Sequence, residues 1–201
     1  MSLKIVKEGA MTKRERLLAL MAGIQKTNFL EGKEAWFFPK YKGVNGYLGT
    51  GKVMFVGKNP SLGHFPSRGD KFLYENLKRL GFQNAHITDV IKQRLNNEDA
   101  VELKRKRRLL SENLEWLRME IEILGKVKIV AIGKDTRELL KGSFPNEVCR
   151  TCLPHYAWVE KYSERERKKK RAKFRNELKR IKKEVNKISR HEGDGSQFNE
   201  P

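Results

Sequence analysis

The stretch KVMFVGKNPS, residues 52–61, decides the fold, because an apolar strand passes directly into a loop of turn residues. Residues 53–56 are all apolar, which is typical of a short parallel strand covered on both faces. The loop at 57–60 follows with a glycine, which lets backbone approach a ligand closely, and a proline, which stiffens the turn. Ligands of doubly wound sheets bind at the carboxyl ends of the strands, so this loop is the first candidate site.

The alternation of strand and helix continues along the chain. Apolar runs predict strands at 53–56, 85–90, 128–133 and 148–153, and helical spacing predicts helices at 12–25, near 70–80, at 98–124 and from Asp135. This order predicts an α/β fold, a single-domain three-layer sandwich with a central parallel four-stranded sheet flanked by helices. Thr12, followed three residues later by Glu15, has the pattern of a capping box at the first helix.

Basic residues are concentrated near the end of the chain. The formal net charge is +19, and residues 160–190 hold about half of it, with 15 basic and five acidic side chains. Apolar residues recur there at helical spacing, which predicts a basic amphipathic C-terminal helix: Phe174, Leu178, Ile181, Val185 and Ile188. We therefore expect an α/β domain at 1–159, this helix at 160–190 and a disordered tail at 191–201. Whether the helix belongs to the domain or projects as an arm stays open.

The charge also limits the class of partner. Such an excess usually means a polyanionic partner, either nucleic acid or an acidic membrane surface. Heat-adapted surfaces raise Lys and Glu together, whereas here 44 Lys and Arg face 25 Asp and Glu, so nucleic acid is favoured. The sequence has no apolar run of about 20 residues and no signal peptide pattern. We expect no membrane partner and a cytoplasmic protein, or a nuclear one if the source has a nucleus, with a monomer favoured.

The sequence predicts neither a metal site nor a cofactor. Cys149 and Cys152 form a single C-x-x-C pair, which cannot complete a four-thiolate zinc or iron–sulfur site, so buried or loosely paired thiols are the simpler interpretation. The chain has no G-x-G-x-x-G, no G-x-x-x-x-G-K-[ST] and no G-x-S-x-G motif. Dinucleotide, P-loop and serine-hydrolase chemistry therefore lose their main support.

Several segments, in order, resemble a known family. VMFVGKNPS at 53–61 resembles the first motif of the uracil-DNA glycosylase superfamily, in the G-x-N-P form of its mismatch-specific and single-strand-selective branches. CLPHYAW at 152–158 aligns with the second motif of that family. The stretches between them that resemble the family are FPSRGDKFLYENLKRLGF at 65–82, ITDVIK at 87–92 and KIVAIGKDTRELL at 128–140. The resemblance covers about residues 50–160.

The resemblance implies a DNA glycosylase of base excision repair. Such an enzyme flips a deaminated or damaged base out of duplex or single-stranded DNA and hydrolyses its N-glycosidic bond. By resemblance, Asn59 would orient or polarise the attacking water, Phe65 would stack on the flipped base, and His155 would bind the base oxygen on which charge develops. The other residues implied are Gly57, Lys58 and Asp89 at the base, and Ser61, Lys134, Tyr156 and Trp158 at the DNA, the last two on a loop that wedges into the duplex.

Two departures from the family pattern leave alternatives open. The second motif continues His-Tyr-Ala and lacks the usual phosphate-contacting Ser. Asp89 lies near a position where several branches carry an Asn, and a carboxylate cannot donate a hydrogen bond unless it is protonated, so a donor-rich base edge would suit it. The chain could instead be a catalytically weak or inactive nucleic-acid-binding protein of this fold, or an α/β enzyme for a phosphorylated small molecule. Asn59 could simply cap a turn, His155 could be an ordinary loop histidine, and Phe65 could serve packing.

Overall fold

The structure is a computed structural model that describes residues 11–60, 63–94, 107–156 and 163–191, without the side chains of 107–109 and 188–191. The helices of this part are α1 (Lys13–Leu30), α2 (Arg68–Arg79), α3 (Arg107–Leu124), α4 (Lys134–Ser143) and α5 (Glu164–His191), and the strands are β1 (Val53–Gly57), β2 (His86–Asp89) and β3 (Lys128–Ala131). The start of the helix predicted at 98–124 and most of the tail predicted at 191–201 lie outside the described residues.

The strands form one parallel sheet in the order β2-β1-β3. Phe55 in the central strand pairs with Ile87 on one side and Val130 on the other. Every residue of β1 is buried, because a central parallel strand is covered on both faces. The predicted α/β fold with a parallel sheet is therefore confirmed.

The fourth predicted strand is not confirmed, because 148–153 makes only two isolated parallel bridges, Val148 with Ile129 and Leu153 with Ile132. The amide of Cys149 donates to the Ile129 carbonyl at 2.8 Å, and that of Leu153 donates to the Ala131 carbonyl at 2.9 Å. Four residues here span the distance that two residues span on β3. The segment therefore bulges away from β3, and the described sheet has three strands.

Helices cover both faces of the sheet. Val53 and Phe55 face a buried cluster that includes residues of α2 and α5, whereas Met54 and Val56 face a cluster with residues of α1, α3 and α4. This alternation follows from the period of two along a strand. It places the carboxyl ends of the strands, and the loops that follow them, between two packed helical layers.

Local signals at the helix ends agree with the structure, although the bounds differ. The capping box predicted at α1 is confirmed, with the amide of Glu15 donating to Thr12 Oγ1 at 3.3 Å and the amide of Thr12 donating to the Glu15 carboxylate at 2.7 Å. The helix runs to Leu30, five residues beyond the predicted end at 25. Asn28 stabilises its last turns, because its buried side-chain amide donates to the Ile24 carbonyl at 2.8 Å.

Among the described residues, no helix is long and apolar enough to cross a membrane.

Candidate active site

The ends of β1 and β2 form the floor of the candidate site. Gly57 lies opposite Asp89 in the parallel register, and a Cβ atom at position 57 would come within 2.1 Å of Asp89 Oδ1. Only glycine lets the carboxylate lie this close to the β1 backbone. The two segments that follow β1 and β2 also remain hydrogen-bonded to each other. The amide of Val90 donates to the Gly57 carbonyl at 2.9 Å, and the amide of Ile91 donates to the Lys58 carbonyl at 3.0 Å.

Asp89 is a buried carboxyl group with an unusual pKa. Its side chain lies at the carboxyl edge of the sheet, and the residue is 6% exposed. Burial raises its pKa to about 7; Lys92 opposes this increase, whereas the charges of Asp70 and Glu120 add to it. Near neutral pH the group can therefore exist in both the protonated and the ionised form.

A buried ion pair lies directly behind Asp89. Lys92 Nζ is 2.8 Å from Glu120 Oε1, and the two residues are 1% and 0% exposed. The same ammonium donates to the Asp89 carbonyl at 2.6 Å and to Thr88 Oγ1 at 2.5 Å. Burial alone would raise the pKa of Glu120, but Lys92 and the hydrogen bond from His86 overcome it, and the pKa is lowered. The pair thus ties the end of β2 to α3.

Asn59 lies half-buried in the loop after β1. Its Nδ2 donates to the carbonyl of Pro60 at 3.1 Å, a local contact of the kind that stabilises a turn. Within the described part of the chain, no donor contacts its Oδ1, so that oxygen is available to accept from a water molecule. Lys58 beside it is also half-buried, and Ser61 lies outside the described residues.

Phe65 is part of an aromatic cluster. Its ring centroid is 5.5 Å from that of Tyr41, 5.7 Å from that of Tyr74 and 6.0 Å from that of Trp36. The side chain is half-buried, so packing against these three rings accounts for much of its surroundings. Part of the ring remains exposed.

Tyr156 joins the second motif to the start of α2. Its ring lies against Gly69, where a Cβ atom would be 3.0 Å from Tyr156 Cδ2. Burial, the charges of Asp70 and Asp89, and a hydrogen bond from the hydroxyl to the Asp70 carboxylate raise the pKa of Tyr156 well above its usual value. Tyr156 therefore contacts Asp70 rather than standing free on a loop.

Sequence reasoning missed Asp70 and the pair of Lys92 and Glu120. Asp70 also completes a capping box at α2, where the amide of Ser67 donates to its carboxylate at 2.9 Å. The Ser-x-x-Asp spacing of residues 67–70 was the signal that could have placed Asp70 in the first turn of a helix. Its contact with Tyr156 had no such signal, because the two residues are far apart in the sequence.

His155 and Lys134 lie beside this floor, on the wall of a neighbouring cleft. Both side chains are exposed, and the ring of His155 stacks on that of Tyr156 with a centroid separation of 5.3 Å and an angle of 11°. The structure thus connects Gly57, Asp89, Asp70 and Tyr156 by direct or electrostatic contacts, with His155 next to them. Trp158 lies outside the described residues.

In the ranges that the structure covers, no group of three or more His, Cys, Asp or Glu residues could hold a metal ion. Cys149 and Cys152 are free thiols, the first buried and the second half-buried. Burial raises the pKa of the Cys149 thiol to about 12, so this thiol is protonated at neutral pH.

One comparison with known proteins found a match. A family model described as the uracil DNA glycosylase superfamily matches residues 46–179. The matched range contains the three strands, the loop after β1, the second motif and the first part of α5. No curated protein matches the chain.

Proposed function

The chain belongs to the uracil DNA glycosylase superfamily, and from that premise we propose that it is a DNA glycosylase of the G-x-N-P type. Its reaction is hydrolysis of the N-glycosidic bond of a flipped deaminated or damaged base, as in base excision repair. The observation that carries the proposal is the position of the Asn59 loop at the carboxyl edge of the sheet, beside the buried Asp89 carboxyl. Ligands of parallel α/β sheets bind at this edge.

Each residue of the site has a separate role in the proposed reaction. The flipped base lies against the exposed part of Phe65, and Asp89 binds its edge. The Asn59 Oδ1 accepts from a water molecule and holds its oxygen towards C1′ of the sugar. As the bond between C1′ and the base nitrogen breaks, the base takes the electron pair and His155 donates to its oxygen. The water oxygen bonds to C1′, and the water proton goes to the departing base.

Replacement of Asn59 by alanine tests this proposal. We expect base release to fall on the order of 100-fold, because the side chain that positions the water is lost. The measurement uses labelled duplexes that carry uracil, hypoxanthine or a mismatch, followed by alkali to cleave abasic sites. Asn146→Ala is the matched control, since this exposed asparagine lies in a turn far along the chain from the loop, and it should keep the wild-type rate.

Two results would contradict the proposed reaction or the role of Asn59 in it. Release of no base from any substrate by the wild type would reject the glycosylase reaction, and an unchanged rate in Asn59→Ala would reject the role of Asn59. DNA binding that survives both Asn59→Ala and His155→Ala, without base release by the wild type, would indicate the alternative, a binding protein with the glycosylase fold.

The pKa of Asp89 gives the proposed site a dependence on pH. A protonated carboxyl offers one donor and one acceptor, as an asparagine amide does, whereas an ionised carboxyl only accepts. With a pKa raised to about 7, the protonated form predominates below that pH and the ionised form above it. Uracil, which presents both a donor and acceptors, should therefore be bound better on the acidic side.

We expect uracil release by the wild type to fall about tenfold between pH 6 and pH 8, following the loss of the protonated carboxyl. Asp89→Asn should be free of this fall, because the amide keeps its donor at both pH values. Glu138→Gln, which changes an exposed carboxylate of α4, should keep the wild-type profile. The rates are measured with one uracil-containing duplex under single-turnover conditions. The same fall in Asp89→Asn as in the wild type would show that another group titrates.

A further inference from the structure

The cleft that His155 and Lys134 line opens beside the candidate active site. It has a volume of about 580 Å³ and lies between the turn from β3 to α4, the bulged segment 150–155 and one face of α5. The residues of α5 that line it are one helical turn apart and share a face. They are Lys173, Glu177 and Arg180.

The cleft is strongly basic. Of the residues that the structure describes, four cationic side chains line it, and Glu177 is the one lining carboxylate. Arg180 pairs with Glu177 at 3.1 Å and is still 70% exposed. Among the described residues, Lys134 and Lys173 form no ion pair, and both are exposed. A concave surface lined by one sign of charge concentrates ligands of the opposite sign, so this cleft is suited to an anion.

The bulge at 150–153 provides the remaining wall and explains why the cleft exists. The amide of Arg150 donates to the Glu184 carboxylate of α5 at 3.0 Å, instead of pairing with β3. This bond attaches the bulged segment to α5, and the side chain of Arg150 lines the cleft. The irregular edge of the sheet thus places Arg150 in the same cleft as Lys173 and Arg180 of α5.

The cleft is continuous with the candidate active site. His155 lines the cleft, and its ring stacks on Tyr156, which contacts Gly69 and Asp70 next to Asp89. A polymer whose base enters the site between Asn59 and Asp89 would therefore pass the His155 side and meet the basic wall. A single phosphorylated metabolite would not need cations so far along α5.

We propose that this cleft binds the backbone phosphates of the DNA strand that flanks the flipped base, with Lys173, Arg180 and Arg150 acting together with Lys134. The identification of the polyanion as DNA rests on the proposed function. The stripe through 173 and 180 then holds the strand, whereas basic residues of α5 outside the cleft, such as Lys168 and Lys179, are exposed to solvent. Such contacts position the nucleic acid without reading its sequence.

The salt dependence of binding tests the cleft independently of base release. Affinity of the full chain for an undamaged labelled duplex is measured by fluorescence anisotropy at several salt concentrations. The slope of log affinity against log salt is negative. Lys134→Gln combined with Lys173→Gln should make it less steep by about 1.8, since each phosphate contact contributes about 0.9. Lys168→Gln combined with Lys179→Gln removes the same charge from exposed positions of α5 outside the cleft, and should leave the slope within about 0.5 of the wild type.

Three results would overturn the proposal: an unchanged slope in the cleft pair, an equal fall in the control pair, or binding to phosphatidylserine vesicles that is lost only in the cleft pair. The last would assign the cleft to an acidic membrane surface. Because the duplex is undamaged, the two proposals fail separately. Slopes that differ as expected in a protein that releases no base would reject only the glycosylase reaction, whereas base release with equal slopes would reject only the cleft.

Discussion

Replacing Lys92 with methionine should lower the free energy of unfolding by roughly 3–5 kcal/mol. The ammonium and the Glu120 carboxylate are both buried, and they lie 2.8 Å apart. Removing Lys92 leaves the buried Glu120 carboxylate with only long contacts, from His86 Nε2 and Thr88 Oγ1 at 3.5 Å each, which costs far more than loss of a surface pair. The Asp89 carbonyl and Thr88 Oγ1 lose a donor as well, so the end of β2 loses its anchor at the candidate site.

The size of this effect is measured by urea unfolding of the variant against a matched surface control. Lys141→Met removes a lysine that lies 4.0 Å from Glu138 with both side chains exposed, and should change stability by no more than about 0.5 kcal/mol. The double variant Lys92→Met, Glu120→Met should recover part of the loss, because neither charge is then left alone. A Lys92→Met protein as stable as the Lys141→Met protein would contradict the importance of the buried pair.

The sheet was predictable from the sequence because its signals are local. Residues 53–56 are apolar in succession, and a strand that is buried on both faces requires this pattern. The capping box at Thr12 and Glu15 needs only four residues of sequence, and it formed as expected. Predicted strands at 85–90 and 128–133 were found within those bounds as β2 and β3.

The edge of the sheet was not predictable, because its structure depends on a distant partner. The segment 148–153 has the composition of a strand, but two extra residues and the bond from Arg150 to Glu184 of α5 pull it away from β3. No pattern within six residues reports a hydrogen bond to a residue 34 positions later. For the same reason, the sequence did not predict the contact of Tyr156 with Asp70 or that of Lys92 with Glu120.

The candidate site shows a similar division between local and distant information. The loop at 57–60 and Asp89 could be singled out because strand ends and turn residues are visible in the sequence. Their environments could not, since the burial that raises the pKa of Asp89 comes from elements far apart along the chain. Phe65 illustrates the opposite outcome, because the three rings around it make packing a larger part of its role than the motif alone indicates.

Phe174→Ala should lower the free energy of unfolding by about 3–5 kcal/mol, because it removes a large ring from the core. Phe174 is 0% exposed and packs edge-on against Phe72 of α2 with a centroid distance of 5.0 Å. Leu178 and Ile181 are equally buried in the same cluster. The sequence left open whether 160–190 is an arm or part of the domain, and we propose that α5 folds together with the residues before 160. An arm would lose little from this substitution.

Phe29→Ala is the matched control, since Phe29 on α1 is 80% exposed and its loss should cost less than about 0.5 kcal/mol. Both variants are compared with the wild type by urea unfolding, and equal stabilities would show that α5 does not complete the core. The outcome also decides how the proposed DNA binding by this helix must be studied. If α5 seals one face of the sheet, deletion of 160–201 abolishes binding by unfolding the protein as well as by removing cations. Only point substitutions at exposed positions, such as Lys173, then separate the two causes.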